Sequence, residues 1–194
     1  MHISKNLDHL GIVAGVCKEI KIAEEIDRII GIDPRQKVTC GQAVIAMILN
    51  ALGFVDRPLY LFPEFLKNKP VELLISPTLV AEDFNDDVLG RTLDKLSAKG
   101  LEEIFIVVAS AAQMYTQGDR FFHSDTTSMS VHGEYEHDDE EVPIRITHGF
   151  PKDHRMDLKQ FVVSMVTCGG IPAFVQTLSG NTSDKNHFRE LFQT

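Results

Sequence analysis

Apolar residues recur at helical spacing through the first part of the chain. Leu7, Leu10, Val13 and Val16 are followed by Ile22, Ile26, Ile29 and Ile30 ahead of Gly31. Such spacing lines one face of a helix and predicts two short opening helices, the second ending at a glycine. Thr39 and Gln42 stand three apart, so that hydroxyl and amide can satisfy free N–H groups ahead of Val44, Ile45, Ile48, Leu49 and Leu52, with Gly53 as a stop. Asn85, followed by Asp86 and Asp87, opens another helix carrying Leu89, Leu93 and Leu96 and closing at Gly100. Leu101, Ile104, Phe105, Val108, Ala112 and Tyr115 continue the spacing to Gly118. In between, Arg57-Pro58-Leu59-Tyr60-Leu61-Phe62-Pro63-Glu64-Phe65 breaks the pattern with its prolines, and its aromatics are expected to fill helix junctions.

After Gly118 the period falls to two. Phe121, His123, Asp125, Thr127, Met129 and Val131 share one face of a strand, and Phe122, Ser124, Thr126, Ser128 and Ser130 the other. Residues 161–168 and 171–178 form two more β-rich runs, joined by Gly169-Gly170 as in a tight antiparallel hairpin. Acidic residues 134–141 read as an exposed loop, and Ile144, Ile146 and Phe150 as a short extended piece. The expected fold class is α+β, with a helical domain over 1–118 and three antiparallel strands within 119–194.

Composition narrows the function classes. With 43% hydrophobic residues in 194, the chain can bury a core and is not disordered as a whole. No apolar run approaches the roughly 20 residues that span a bilayer, and residues 1–8 lack the basic and apolar stretches of a secretory signal. A cytoplasmic protein with no membrane partner is expected. Cys17, Cys40 and Cys168 are odd in number and far apart, which fits buried thiols and neither a disulfide framework nor a zinc knuckle. The net charge of −9 confines any nucleic-acid contact to local patches.

Asp125 is the sharpest chemical signal. An ionised carboxylate on the apolar-looking side of a strand is expensive unless it meets a metal ion, a cation or several donors. A strand-borne Asp suits divalent-metal chemistry, because a rigid strand fixes hard oxygen ligands; a hydrogen-bonded structural Asp is the plainer alternative. Asp125 is therefore expected on a central strand, reachable through a shallow groove. Six of the eight histidines follow residue 120, and His123 shares the face of Asp125, but no pair has the HExxH spacing of a zinc hydrolase. Lys152, His154, Arg155 and Lys159 concentrate phosphate donors in an otherwise acidic half, as DNA-contact candidates or as a solvated loop with internal ion pairs. Gly180-Asn181-Thr182-Ser183-Asp184 reads as a turn introducing a helix.

These motifs together resemble the insertion-sequence transposases with a DDE catalytic triad. The likeness is carried by Asp125-Thr126-Thr127-Ser128 leading to Val131-His132-Gly133-Glu134-Tyr135, by Lys152-Asp153-His154-Arg155 with Asp157-Leu158-Lys159-Gln160, and by Gly170-Ile171-Pro172 and Gly180-Asn181-Thr182-Ser183-Asp184. In the helical half it is carried by Asn50-Ala51-Leu52-Gly53-Phe54, by Leu59-Tyr60-Leu61-Phe62-Pro63-Glu64-Phe65 and by Asn85-Asp86-Asp87-Val88-Leu89-Gly90-Arg91.

The resemblance implies an N-terminal domain that binds the terminal inverted repeats of an insertion element, followed by the start of an RNase H-like core. Asp125 would be the first acid of the triad and a ligand for Mg²⁺ or Mn²⁺, in an enzyme that cleaves DNA, transfers strands and works as a homo-oligomer. The second Asp and the Glu would lie beyond residue 194, so the chain reads as a truncated transposase, inactive alone. A non-catalytic DNA-binding fragment that represses or competes with intact transposase is the alternative. A self-sufficient metal hydrolase built on His123 and Asp125 is a third reading.

Overall fold

A computed structural model describes residues 4–114, 121–135, 142–152 and 154–191. The chain is α+β, with helices first and a three-stranded antiparallel sheet after them, and it forms two compact units, Met1–Ala112 and Gln113–Thr194. The expected continuation of the last helix to Tyr115 and Gly118, and most of the acidic loop, lie outside the described residues.

The first unit is built from α1 (Leu10–Glu19), α2 (Ile22–Ile30), α3 (Cys40–Ala51), the short α4 (Phe62–Lys67) and α5 (Val71–Leu74), α6 (Asp86–Lys99) and α7 (Leu101–Gln113). The α3 capping box forms as its spacing predicts: Thr39 Oγ1 accepts from the Gln42 N–H at 3.2 Å, and Gln42 Oε1 from the Thr39 N–H at 3.0 Å. Asn85 caps α6 by accepting from the Val88 N–H at 3.0 Å. Between α2 and α3 the backbones touch. A Cβ on Gly41 would stand 2.2 Å from the Ala23 carbonyl oxygen, so only glycine fits, and Asp27 Oδ1 accepts from the Gly41 N–H at 2.7 Å across the same seam.

The core gathers Leu10, Ile26, Ala43, Leu49, Leu66, Phe84 and Leu89, with the last five completely sealed. The proline-broken segment contributes Phe62 and Phe65 to this core, packed edge to face at 6.0 Å, whereas Tyr60 stays 71% exposed. Pro63 starts α4 instead of breaking it, since the first turn of a helix has no use for that N–H.

In the second unit β1 (Phe122–Val131) pairs with β2 (Lys159–Cys168), which pairs with β3 (Ile171–Ser179) in the order β1-β2-β3. Gly169 and Gly170 make the hairpin turn with φ of 60° and 80°, the left-handed pair that a two-residue link demands. β1 is thus an edge strand of the described sheet, not the central one expected, because its open side meets no further strand there. The sides are also reversed from the expectation. His123, Asp125, Thr127 and Met129 face solvent, while Ser124, Thr126, Ser128 and Ser130 are half-buried. The reason is α8 (Asp184–Leu191), which covers the other face: His187 Nε2 meets Ser164 Oγ at 2.7 Å, both groups buried.

Truncating a sealed ring and an exposed aliphatic chain separates core from surface. Phe84→Ala is expected to cost about 3–5 kcal/mol in urea unfolding of the helical unit, and Ile12→Ala, at a site 74% exposed, to stay within about 0.5 kcal/mol. Equal losses would show that the core lies elsewhere.

Candidate functional site

Asp125 sits mid-strand on β1, opposite Met165 of β2, with its side chain 86% exposed. Its carboxylate is held at one oxygen. Oδ1 accepts from the Thr126 N–H at 2.8 Å and from the Lys152 ammonium at 3.3 Å. The backbone donor and then the lysine hold the carboxyl below the ordinary carboxylate range, so the group is ionised at neutral pH.

Lys152 is docked on the same strand from a separate loop. Its N–H donates to Ser128 Oγ at 3.0 Å, and its ammonium also donates to the Thr126 carbonyl. One side chain therefore neutralises the exposed acid and satisfies a carbonyl of the edge strand. On the opposite face of β1, Thr126 Oγ1 donates to Asp184 Oδ1 at 2.9 Å, which ties the strand to the first residue of α8.

The basic cluster divides. Lys152 belongs to Asp125; Arg155 forms a two-pronged pair with Asp157, both bonds 2.8 Å; and the Lys159 ammonium donates to the Glu134 carbonyl. His154 is exposed, in a left-handed conformation with φ 60°. The four DNA-contact candidates thus form no single array of free cations. The Arg155 guanidinium holds the Asp157 carboxyl down at about 2.

Beside β1 lies a groove of about 430 Å3 that Thr126, Ser128, Phe150, Lys152, Gln160 and Lys185 help to line. Sequence reasoning gave no site role to four residues of this region. Gln160 is 2% exposed; its Nε2 donates to the Gly180 carbonyl at 2.6 Å and its Oε1 has no partner. His187 and Ser164 form a buried polar pair, and Asp184 anchors Thr126. The available signal was the unbroken Ser/Thr run at even positions of β1, too polar for a face without hydrogen-bonding partners.

For a divalent cation, the Asp125 carboxylate on a fixed strand is a hard oxygen donor of the right kind. In number it is one acid: among the described residues no group of three or more His, Cys, Asp and Glu side chains is placed to hold a metal ion.

Residues 2–110 match a family model described as a domain of unknown function (DUF4277), and the chain belongs to that family. No curated protein and no solved structure matches the chain.

The two carboxyls give a pH test. Each is lowered on folding, so each contributes stability above its unfolded value and loses it as pH falls; for Asp157 the window runs from 3.8 down to about 2. In carboxyl-detected NMR titration, Arg155→Gln should return Asp157 towards its ordinary value. Lys152→Met should raise the Asp125 midpoint only part of the way, because the Thr126 N–H remains. An unmoved Asp125 would mean that the ammonium does not reach it.

Proposed function

We propose that this member of the DUF4277 family is the N-terminal portion of a DDE transposase. In this reading the helical unit binds the terminal inverted repeats of an insertion element, and Asp125 is the first acid of the catalytic triad. The observation that carries the reading is Asp125 itself: an ionised, solvent-reachable carboxylate fixed on the first strand of an antiparallel β1-β2-β3 sheet that is followed by a helix. The ordered motifs shared with those transposases support it from the sequence.

Asp125 would hold a divalent cation, Mg²⁺ or Mn²⁺, together with acids that the resemblance places beyond residue 194. Bound there, such a cation supplies Lewis-acid stabilisation of the attacking and leaving oxygens at a phosphodiester. The protein's own share is positional. The strand fixes the carboxylate, the Thr126 N–H orients Oδ1, and Lys152 keeps the group charged without burying it.

End binding falls to the helical unit, where many cations are already engaged: Lys5 with Glu72, Arg28 with Glu25, Arg35 with Asp33, Lys37 with Asp83 and Lys69 with Asp8. Lys18, Lys21, Lys67 and Arg91 carry no ion pair among the described residues, and neither do Arg57 and Lys95, whose side chains donate to the Asp56 carbonyl and to Gln36; these six are the available phosphate donors. Among the described residues no group of three or more His, Cys, Asp and Glu side chains is placed to hold a metal ion, which favours a second reading, a DNA-binding fragment that represses or competes with intact transposase in the cytoplasm. Homo-oligomer formation belongs to the intact enzyme in both readings.

Band-shift and nicking assays test this on the 194-residue chain. Duplex carrying the element's ends should bind in preference to unrelated duplex, and about three phosphate contacts would weaken binding about 40-fold between roughly 50 and 200 mM salt. Asp125→Ala should bind equally, and neither protein should nick DNA with Mg²⁺ or Mn²⁺. Indifference to the end sequence would overturn the reading. Nicking that needs Asp125 would mean that other residues of this chain complete the metal site.

A further inference from the structure

The groove beside β1 is not used by this reading, and its most unusual member is Phe150. This residue is 92% exposed, although a phenyl ring gains from leaving water. It is nevertheless held firmly on both sides. Gly149 before it runs so close to Gly180 and Gln160 that a Cβ would stand 2.0 Å from the Gly180 carbonyl oxygen and 2.3 Å from Gln160 Nε2. Pro151 after it is buried, and the Lys152 N–H is bonded to Ser128 Oγ. The backbone is pinned on either side of an aromatic side chain that stays in solvent at the rim of the groove.

The rest of the lining has a matching chemistry. Two lysines help to line the groove: Lys152, whose ammonium is shared with Asp125 and the Thr126 carbonyl, and Lys185, which has no ion pair among the described residues. Asp184 also borders it, with its carboxylate already accepting from Thr126. At the floor Gln160, 2% exposed, has an amide oxygen without a donor, and a buried acceptor left unpaired is costly. The groove therefore offers an aromatic plane and cations, over a floor whose sealed Gln160 acceptor lacks a donor and gains one if the floor yields to a ligand. A volume of about 430 Å3 falls in the range of sites for a single small group.

An unpaired nucleotide meets all three. Its base has a free face for stacking, its phosphate meets ammonium groups, and its exocyclic amino or ring N–H is a donor. A base inside a duplex has both faces stacked and its pairing edge occupied, so it can use neither Phe150 nor Gln160. We propose that this groove holds one unpaired nucleotide of a DNA strand, its base on Phe150 and its phosphate between Lys152 and Lys185. The choice of DNA rests on the transposase reading; the choice of an unpaired nucleotide rests on the groove alone.

The test uses the full 194-residue chain and fluorescein-labelled duplexes that are blunt or carry a short single-stranded overhang, read by anisotropy, with free deoxynucleoside monophosphate as competitor. Stacking on one aromatic ring predicts that the overhang binds about 5- to 150-fold more tightly than the blunt end. Phe150→Ala should erase that preference, Phe150→Trp should keep it, and Lys185→Gln should weaken overhang binding and flatten its salt dependence. Phe150 is exposed, so circular dichroism should show all these variants folded.

Equal binding of blunt and overhanging DNA, or a preference that survives Phe150→Ala, overturns the proposal and leaves the transposase reading standing. Free mononucleotide that competes as well as the overhang overturns it in favour of a mononucleotide pocket. Failure to bind any DNA overturns it and end binding together.

Discussion

Gly149 and Gly180 cross so closely that a Cβ on either would stand 2.0 Å from a carbonyl oxygen, that of Gly180 in one case and that of Gln160 in the other. Everything around Asp125 depends on this crossing. It lets the extended piece at Thr147 exchange backbone hydrogen bonds with Gln160, 3.1 and 2.9 Å, while the Gly180 N–H donates to the Arg145 carbonyl at 2.9 Å. The loop that leaves the crossing carries Phe150, Pro151 and Lys152 towards β1, and the chain that leaves Gly180 turns at once into α8. A larger side chain at either glycine would push the loop from the strand or the helix from the sheet, separating Lys152 from Asp125 or Asp184 from Thr126. The position of the acid's counter-ion is thus set by two residues that never touch it.

The edge position of β1 adds a second constraint. An edge strand presents unpaired carbonyl and N–H groups that invite another chain. Lys152 answers one of them by donating to the Thr126 carbonyl while it neutralises Asp125. This surface pair, with side chains 55% and 86% exposed, contributes little to stability. Its consequence is directional: the carboxylate is charged, in place and open to water, and its present partner is a flexible cation that a competing charge can displace.

Local features were legible in the sequence where a single element determines them. The caps at Thr39 and Asn85, the Gly169-Gly170 turn and the period-two run through Asp125 each depend on residues within four positions. What escaped was decided by distant partners. The side of β1 that faces inward is set by α8, whose His187 lies 23 residues beyond Ser164, so Met129 and Val131 misleadingly marked the exposed side as the core. The sequence leaves Arg155 as a phosphate donor or a member of an internal ion pair, and the fold decides for the pair: Asp157, two residues on, engages its guanidinium on both prongs. Gln160 entered only as the end of a motif and gave no signal of burial, because a glutamine at the start of β2 becomes a buried floor only when Gly149 and Gly180 close over it.

The charge of the chain sharpens what any phosphate contact must look like. With 28 acidic residues against 19 basic, a diffuse electrostatic footprint is ruled out, and each lysine or arginine already paired with a carboxylate would have to surrender that partner to reach DNA. Exchanging a surface carboxylate for a phosphate gains little, since both are solvated anions of comparable reach. The larger share of affinity must therefore come from cations that hold no partner and from contacts that are not ionic, with a paired lysine such as Lys152 adding little. Those conditions select Lys185 over Arg155, and they give weight to an aromatic residue that the fold holds rigidly in water.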